Sequence, residues 1–210
     1  MSKAMLTYGT GTHAEYLEIA MPSFKTFAKR HKYDLLIPDS FNIDRPAPWF
    51  KIPALIGALN SYDDVLFLGA DTLIVDGRDD IQVPADAWQA MVIHDTNDGA
   101  VPNTDVWLVR KPMLPFLQET WRLSQYTHAP WWEQSALLDV MGYNANARPI
   151  TVDHSTALLE HTHWLDKSWN VHINDTVRIE KQRIQHATMW PDRAAIMREW
   201  AKQAEGWINE

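Results

Sequence analysis

The chain has 210 residues and contains no cysteine. Disulfides and zinc–thiolate sites are excluded, so burial, hydrogen bonds and ion pairs must hold the fold. Long apolar runs are lacking too, and no stretch is long enough to cross a bilayer as a helix. Residues 1–6 lead straight into a short strand pattern without the apolar segment of a secretory signal, which makes the cytoplasm the expected compartment. There is no low-complexity tract and no repeat of fixed period. Positive charge is scarce: 19 Lys and Arg face 27 Asp and Glu, a formal net charge of -8. Such a field repels a phosphate backbone and makes DNA the least comfortable partner.

Hydrophobic residues make up 46% and charged residues 22%, the profile of a globular domain with enough apolar material for a real core. One domain over 1–210 is expected, ending in a C-terminal helix. Tryptophan is abundant, with eleven residues. Trp49, Trp107, Trp131, Trp132, Trp164 and Trp169 stand beside polar neighbours, where flat rings suit the stacking faces of sugars or bases; filling core is the competing use.

The pattern opens as β-α-β-α. Residues 4–10 read as a strand running into the turn Gly9-Thr10-Gly11, and 13–30 carry apolar residues at helical spacing, with Pro22 expected to kink that helix. Residues 33–37 form a second strand and 50–60 a second helix. Val65-Leu66-Phe67-Leu68 is apolar on both faces, as a central strand between two helix layers must be. Strands are also predicted at 73–75, 90–94 and 105–109, and helices at 113–123, 133–141 and 191–204; 148–185 is left without assignment. Strands alternating with helices predict an α/β fold with an open sheet.

Open α/β sheets bind ligands at the carboxyl ends of their strands. Asp71 follows the central strand on a short turn, and a hard carboxylate there suits Mg²⁺ or Mn²⁺ carrying a diphosphate. The competing role is an Asp that merely caps a turn. The segment Tyr62-Asp63-Asp64-Val65-Leu66-Phe67-Leu68-Gly69-Ala70-Asp71-Thr72 resembles the Asp-x-Asp segment of GT-A glycosyltransferases, most of all the retaining glycogenin-like and galactomannan/xyloglucan-type families. Further likenesses follow in the same order. Trp49-Phe50-Lys51 resembles the segment with a donor-facing lysine, Pro102-Asn103-Thr104-Asp105-Val106 the Asn-Ser-Gly-Val strand, and Trp132-Glu133-Gln134 the acidic-Gln segment beneath the reacting carbon. Leu165-Asp166-Lys167-Ser168-Trp169-Asn170 resembles the segment before the last strand, and Ile184-Gln185-His186 the strand ending in a metal-binding histidine.

The resemblance implies a single Rossmann-like domain with a mixed, mostly parallel sheet. About 1–110 would bind the nucleotide sugar, and about 111–210 would face the acceptor. It implies Mn²⁺ or Mg²⁺ on Asp71 and His186. The donor, a UDP-sugar by family, would lie among Tyr8, Thr10, Lys51, Ala70, Asp71, Asn103, Thr104, Trp169 and Asn170. Lys51 would add a cation to the diphosphate. Gln134 would place its amide oxygen under the anomeric carbon in a front-face retaining transfer, with Glu133 orienting the acceptor or sugar. Glu133 as general base would instead give inversion. The acceptor, whether protein, glycan or small molecule, is not specified.

Two departures stand out. Gly69 occupies the place of the first Asp of Asp-x-Asp, and the family's Lys-Pro after the late histidine is replaced by text that includes Arg193, a substitute cation. Gly69→Asp is accordingly expected to fold and to strengthen donor or metal binding. The same departures keep open a binding protein without turnover. A nucleotidyltransferase needs a basic glycine-rich loop, and Tyr8-Gly9-Thr10-Gly11-Thr12 has no Lys or Arg. His154, His161, His163 and His172 show no convincing ligand spacing and are assigned structural roles, while His128 is placed beside the acceptor.

Overall fold

A computed structural model describes residues 2–38, 43–175 and 179–210. The first strand, β1 (Lys3–Leu6), leads through the Tyr8–Gly11 turn into α1 (Thr12–His31), which runs on past Pro22 as one element. Then follow β2 (Asp34–Leu36), a 3-10 turn (Ala47–Phe50), α2 (Lys51–Leu59), β3 (Asp64–Leu68) and β4 (Thr72–Ile74). The long pair β5 (Gln89–Thr96) and β6 (Gly99–Arg110) precedes α3 (Leu114–Arg122) and α4 (Trp132–Val140). The unassigned stretch folds into the short α5 (Ala157–Glu160), β7 (Thr162–Trp164) and β8 (Ile184–His186), and α6 (Arg193–Ile208) closes the chain.

Six strands form one mixed sheet in the order β2-β1-β3-β6-β5-β7. Pairs β1–β2, β1–β3 and β5–β7 are parallel, and β6 runs antiparallel to both its neighbours. Alternate residues feed two cores. Ala4, Leu6, Val65, Phe67, Trp107 and Val109 face a cluster that includes α2, α3 and α4 residues, while Met5, Leu66, Leu68, Val106 and Leu108 face one that includes α1 and α6. That two-sided burial is why β3 is buried at every residue.

Two irregularities position the site. β4 leaves the main sheet and pairs with β8, setting Thr72 opposite His186. On β6, Met91 of β5 pairs with Trp107 but the next residue, Val92, pairs with Asn103. Residues 104–106 therefore have no partner on β5, a bulge of the kind that re-aims side chains beside active sites.

Candidate active site

A cleft of about 540 Å³ opens where β1 and β3 end and β6 bulges, a size suited to a small organic ligand. Tyr8, Thr10, Lys51, Ala70, Asp71, Asn103, Thr104, Glu133, Gln134 and His186 all line it, so ten of the sequence-derived residues are brought together. Asn170 sits behind the wall, fully buried, and its Nδ2 donates to Asn103 Oδ1 at 2.9 Å. Trp169 does not reach the cleft. Its ring lies beneath the Arg183 guanidinium, 4.9 Å from the centroid, beside a separate hollow. The 3-10 turn Lys167–Trp169 carries it to that side, so a donor-stacking role for Trp169 is not supported by its position.

Lys51 also departs from the expectation. Its ammonium is buried and donates to Glu133 Oε1 at 2.8 Å, Thr104 Oγ1 at 2.9 Å and Asp105 Oδ1 at 3.2 Å. With three acceptors around it, Lys51 is a neutralised strut in the cleft floor and not a cation held ready for a diphosphate. Burial works against its charge, but Asp105 and Glu133 outweigh that and raise its pKa. Glu133 is raised by burial, partly offset by Lys51. Its Oε2 is screened from solvent and has no hydrogen-bond partner among the described residues.

Gln134 Oε1 accepts from Thr104 N at 3.1 Å and lies 3.3 Å from Thr104 Oγ1. The amide oxygen expected beneath a sugar carbon is thus engaged by the β6 bulge. Thr104 becomes the hub that ties β6 to α4 and to Lys51.

At the opposite wall, Asp71 lies in the turn between β3 and β4, and His186 ends β8. His186 Nε2 is 3.5 Å from Asp71 Oδ1 and 3.5 Å from Asp105 Oδ2. His186 is 1% exposed, and neither ring nitrogen has a hydrogen-bond partner among the described residues. Arg193 NH1 donates to the other Asp71 oxygen at 2.9 Å. Burial pushes the Asp71 carboxyl up, yet His186, His13 and Arg193 outweigh it and hold it below the usual carboxylate range. Burial pulls His186 down, and Asp71 and Asp105 reverse that to raise it.

Residues not selected from sequence add to this wall. His94 and His172 line the cleft with ring centroids 5.0 Å apart, and His172 stands 5.9 Å from His186. Burial, then the neighbouring imidazoles, lower His172 to about 4. Asp105 is the omission with the most consequence. His161, by contrast, stacks on Trp88 at 4.2 Å and its Nδ1 is 2.9 Å from Asp86 O, a structural role as expected. Of the tryptophans, Trp49 and Trp107 are core, and only Trp131 and Trp132 line the cleft. Trp132 is half exposed and holds a left-handed φ of 45°, a strained backbone for a bulky residue.

The expectation for Gly69→Asp also changes. An ideal Cβ on Gly69 would lie 3.0 to 3.2 Å from Asp105 side-chain atoms, so a second carboxylate there meets the first.

No family model matches the chain, and no curated protein matches it by sequence. Solved structures do. A glycosyltransferase involved in the glycosylation of the major capsid of PBCV-1 superposes with a TM-score of 0.67 over 96% of this chain and 99% of its own, at 15% identity. The glycosyltransferase GlyE of Streptococcus pneumoniae TIGR4 superposes with a TM-score of 0.64 at 12% identity; it covers 100% of this chain, which spans 64% of GlyE. The bifunctional glycosyltransferase WbbM gives 0.54 at 14% identity over 89% of this chain and 46% of its own. The chain has the GT-A glycosyltransferase fold.

Proposed function

We propose that the protein is a glycosyltransferase that takes a nucleoside-diphosphate sugar, with UDP as the donor nucleotide, and holds a divalent cation on Asp71 and His186. The observation that carries this is the buried imidazole of His186, without a hydrogen-bond partner among the described residues and 3.5 Å from Asp71 at the carboxyl end of the central strand. An imidazole and a carboxylate suit Mn²⁺, which takes its remaining oxygens from phosphates and water. When bound, the ion supplies positive charge where the leaving diphosphate gathers negative charge. Arg193 lines the same wall and adds a fixed guanidinium for the phosphates.

The chain's own part in transfer is orientation and exclusion of water. Tyr8, Thr10 and Ala70 shape the nucleotide end of the cleft, and Asn103, pinned by Asn170, faces the sugar. Gln134 and Thr104 hold one another at the α4–β6 junction, which fixes the wall nearest the reacting carbon. Glu133 has Oε1 held by Lys51 and Oε2 screened from solvent; this weighs against an inverting base and favours retention. Trp131 and Trp132 offer rings at the cleft mouth for a glycan or glycoside acceptor.

A second reading, nucleotide-sugar binding without turnover, draws on the Arg193–Asp71 ion pair, because that pair occupies the carboxylate an ion needs. A panel of nucleotide sugars with Mn²⁺ separates the two. Release of UDP from one UDP-sugar is expected; tight binding with no release supports the second reading, and no binding at all contradicts both.

A further inference from the structure

We propose that Asp105 supplies the second carboxylate of the cation site, filling from across the β3–β6 pair the place that Gly69 leaves open. The inference rests on the nucleotide-sugar reading and concerns which residues of this chain hold the ion.

Gly69 follows β3 and stands two residues before Asp71. A side chain started at Gly69 would run into Asp105, with its Cβ 3.0 Å from Oδ1, 3.1 Å from Cβ and 3.2 Å from Cγ. The approach belongs to the sheet, since Gly69 N donates to Asp105 O at 2.8 Å and neighbouring Leu68 pairs with Val106. One small volume therefore admits a side chain from 69 or a carboxylate from 105, but not both without displacement.

From its strand, Asp105 reaches what Asp71 reaches. Oδ2 of Asp105 and Oδ1 of Asp71 each lie 3.5 Å from His186 Nε2, too far for a hydrogen bond of ordinary strength. A buried imidazole without a hydrogen-bond partner among the described residues, flanked by two carboxylates that stop short of it, is an arrangement a cation completes. Adjacent ligands of an octahedral ion with bonds of about 2.1 Å sit about 3 Å apart, so each carboxylate would have to approach His186 Nε2 by about half an ångström to share an ion with it. Among the described residues no group of three or more His, Asp or Glu is arranged to hold a metal ion as it stands, so these side chains must move together to hold one. The Asp105 side chain is 31% exposed, against 9% and 1% for Asp71 and His186, so its carboxylate is reached from the cleft. Lys51 holds Asp105 Oδ1 at 3.2 Å, which keeps the carboxylate at the floor and turns Oδ2 toward His186. The text agrees: Asp105 stands at the glycine of the Asn-Ser-Gly-Val likeness, and Gly69 at an aspartate of Asp-x-Asp. The exchange is reciprocal.

The test compares wild type, Asp71→Asn, Asp105→Asn and the exchanged pair Gly69→Asp with Asp105→Gly. Mn²⁺ uptake is read from the paramagnetic resonance signal of free Mn²⁺, with and without UDP, and folding is checked by thermal melting. Asp105→Asn, which keeps shape but lowers charge, is expected to weaken Mn²⁺ binding by roughly 10- to 100-fold, and the exchanged pair to recover most of that loss. Wild-type uptake by Asp105→Asn, alongside lost uptake by Asp71→Asn, overturns the proposal and leaves the metal reading intact. A folded exchanged pair no better than Asp105→Asn overturns the shared-volume account. Wild type that takes up no Mn²⁺ with or without UDP overturns both.

Discussion

Arg193 donates to Asp71 Oδ2 at 2.9 Å, so the carboxylate that follows β3 is ion-paired from the first residue of α6 before any ligand arrives. An incoming cation must share Asp71 with that guanidinium. Arg193→Ala is expected to raise Mn²⁺ affinity without nucleotide by on the order of tenfold, the size of one charge-assisted hydrogen bond, while weakening UDP. Calorimetry with each ligand alone checks both directions; a parallel loss of both would assign Arg193 a folding role only.

Lys51 and Glu133 form a buried pair whose members differ in what they need. Lys51→Met leaves Glu133 charged and buried, which costs about 3–5 kcal/mol. The pH dependence has a definite sign. Burial already raises Glu133, and removing Lys51 raises it further. A carboxyl with a folded pKa above its unfolded value favours folding below the unfolded pKa and loses that advantage as pH rises through the folded one. The melting-temperature deficit of Lys51→Met should therefore be small near pH 4.5 and grow toward neutrality. A deficit that is flat with pH would mean the loss is one of packing.

Gln134→Ala frees the Thr104 amide and loosens the α4–β6 junction. Turnover is expected to fall on the order of 10²-fold with donor affinity nearly kept, because a positioning group matters most as charge develops. Equal losses in turnover and affinity would make Gln134 a binding group.

Trp132→Ala relieves no core packing, since the ring is exposed at the cleft mouth. UDP affinity should be unchanged while the acceptor concentration needed for half-maximal rate rises several-fold, stacking on one ring being worth about 1 kcal/mol. A selective fall in UDP affinity would move Trp132 to the donor side.

Much of this was legible in the sequence. The apolar run of β3, the helical spacing of α1 and the Asp192-capped α6 each announce themselves through local periodicity or a cap. Asp71 stands out as a carboxylate at a strand end, where open sheets carry ligands, while its metal role and that of His186 come from the resemblance alone. The engagement of Lys51 has no local sign, because nothing near it reveals that Glu133, 82 positions away, accepts from it. Trp169 was misread because a 3-10 turn decides which side of the chain its ring takes. The β6 bulge depends on pairing with β5 and β3 together, so the turning of Asp105 toward the cleft has no signature within the strand. One sign was available: the glycine at 69 and the carboxylate at 105 are complementary departures.

The most direct measurement is calorimetric titration of UDP into wild type and Asp71→Ala, with Mn²⁺ and with chelator. Wild type should bind UDP far more tightly with Mn²⁺ than with chelator, and Asp71→Ala should bind weakly and equally in both. UDP affinity that ignores Mn²⁺ in the wild type, or metal-dependent affinity that survives Asp71→Ala, would contradict the account.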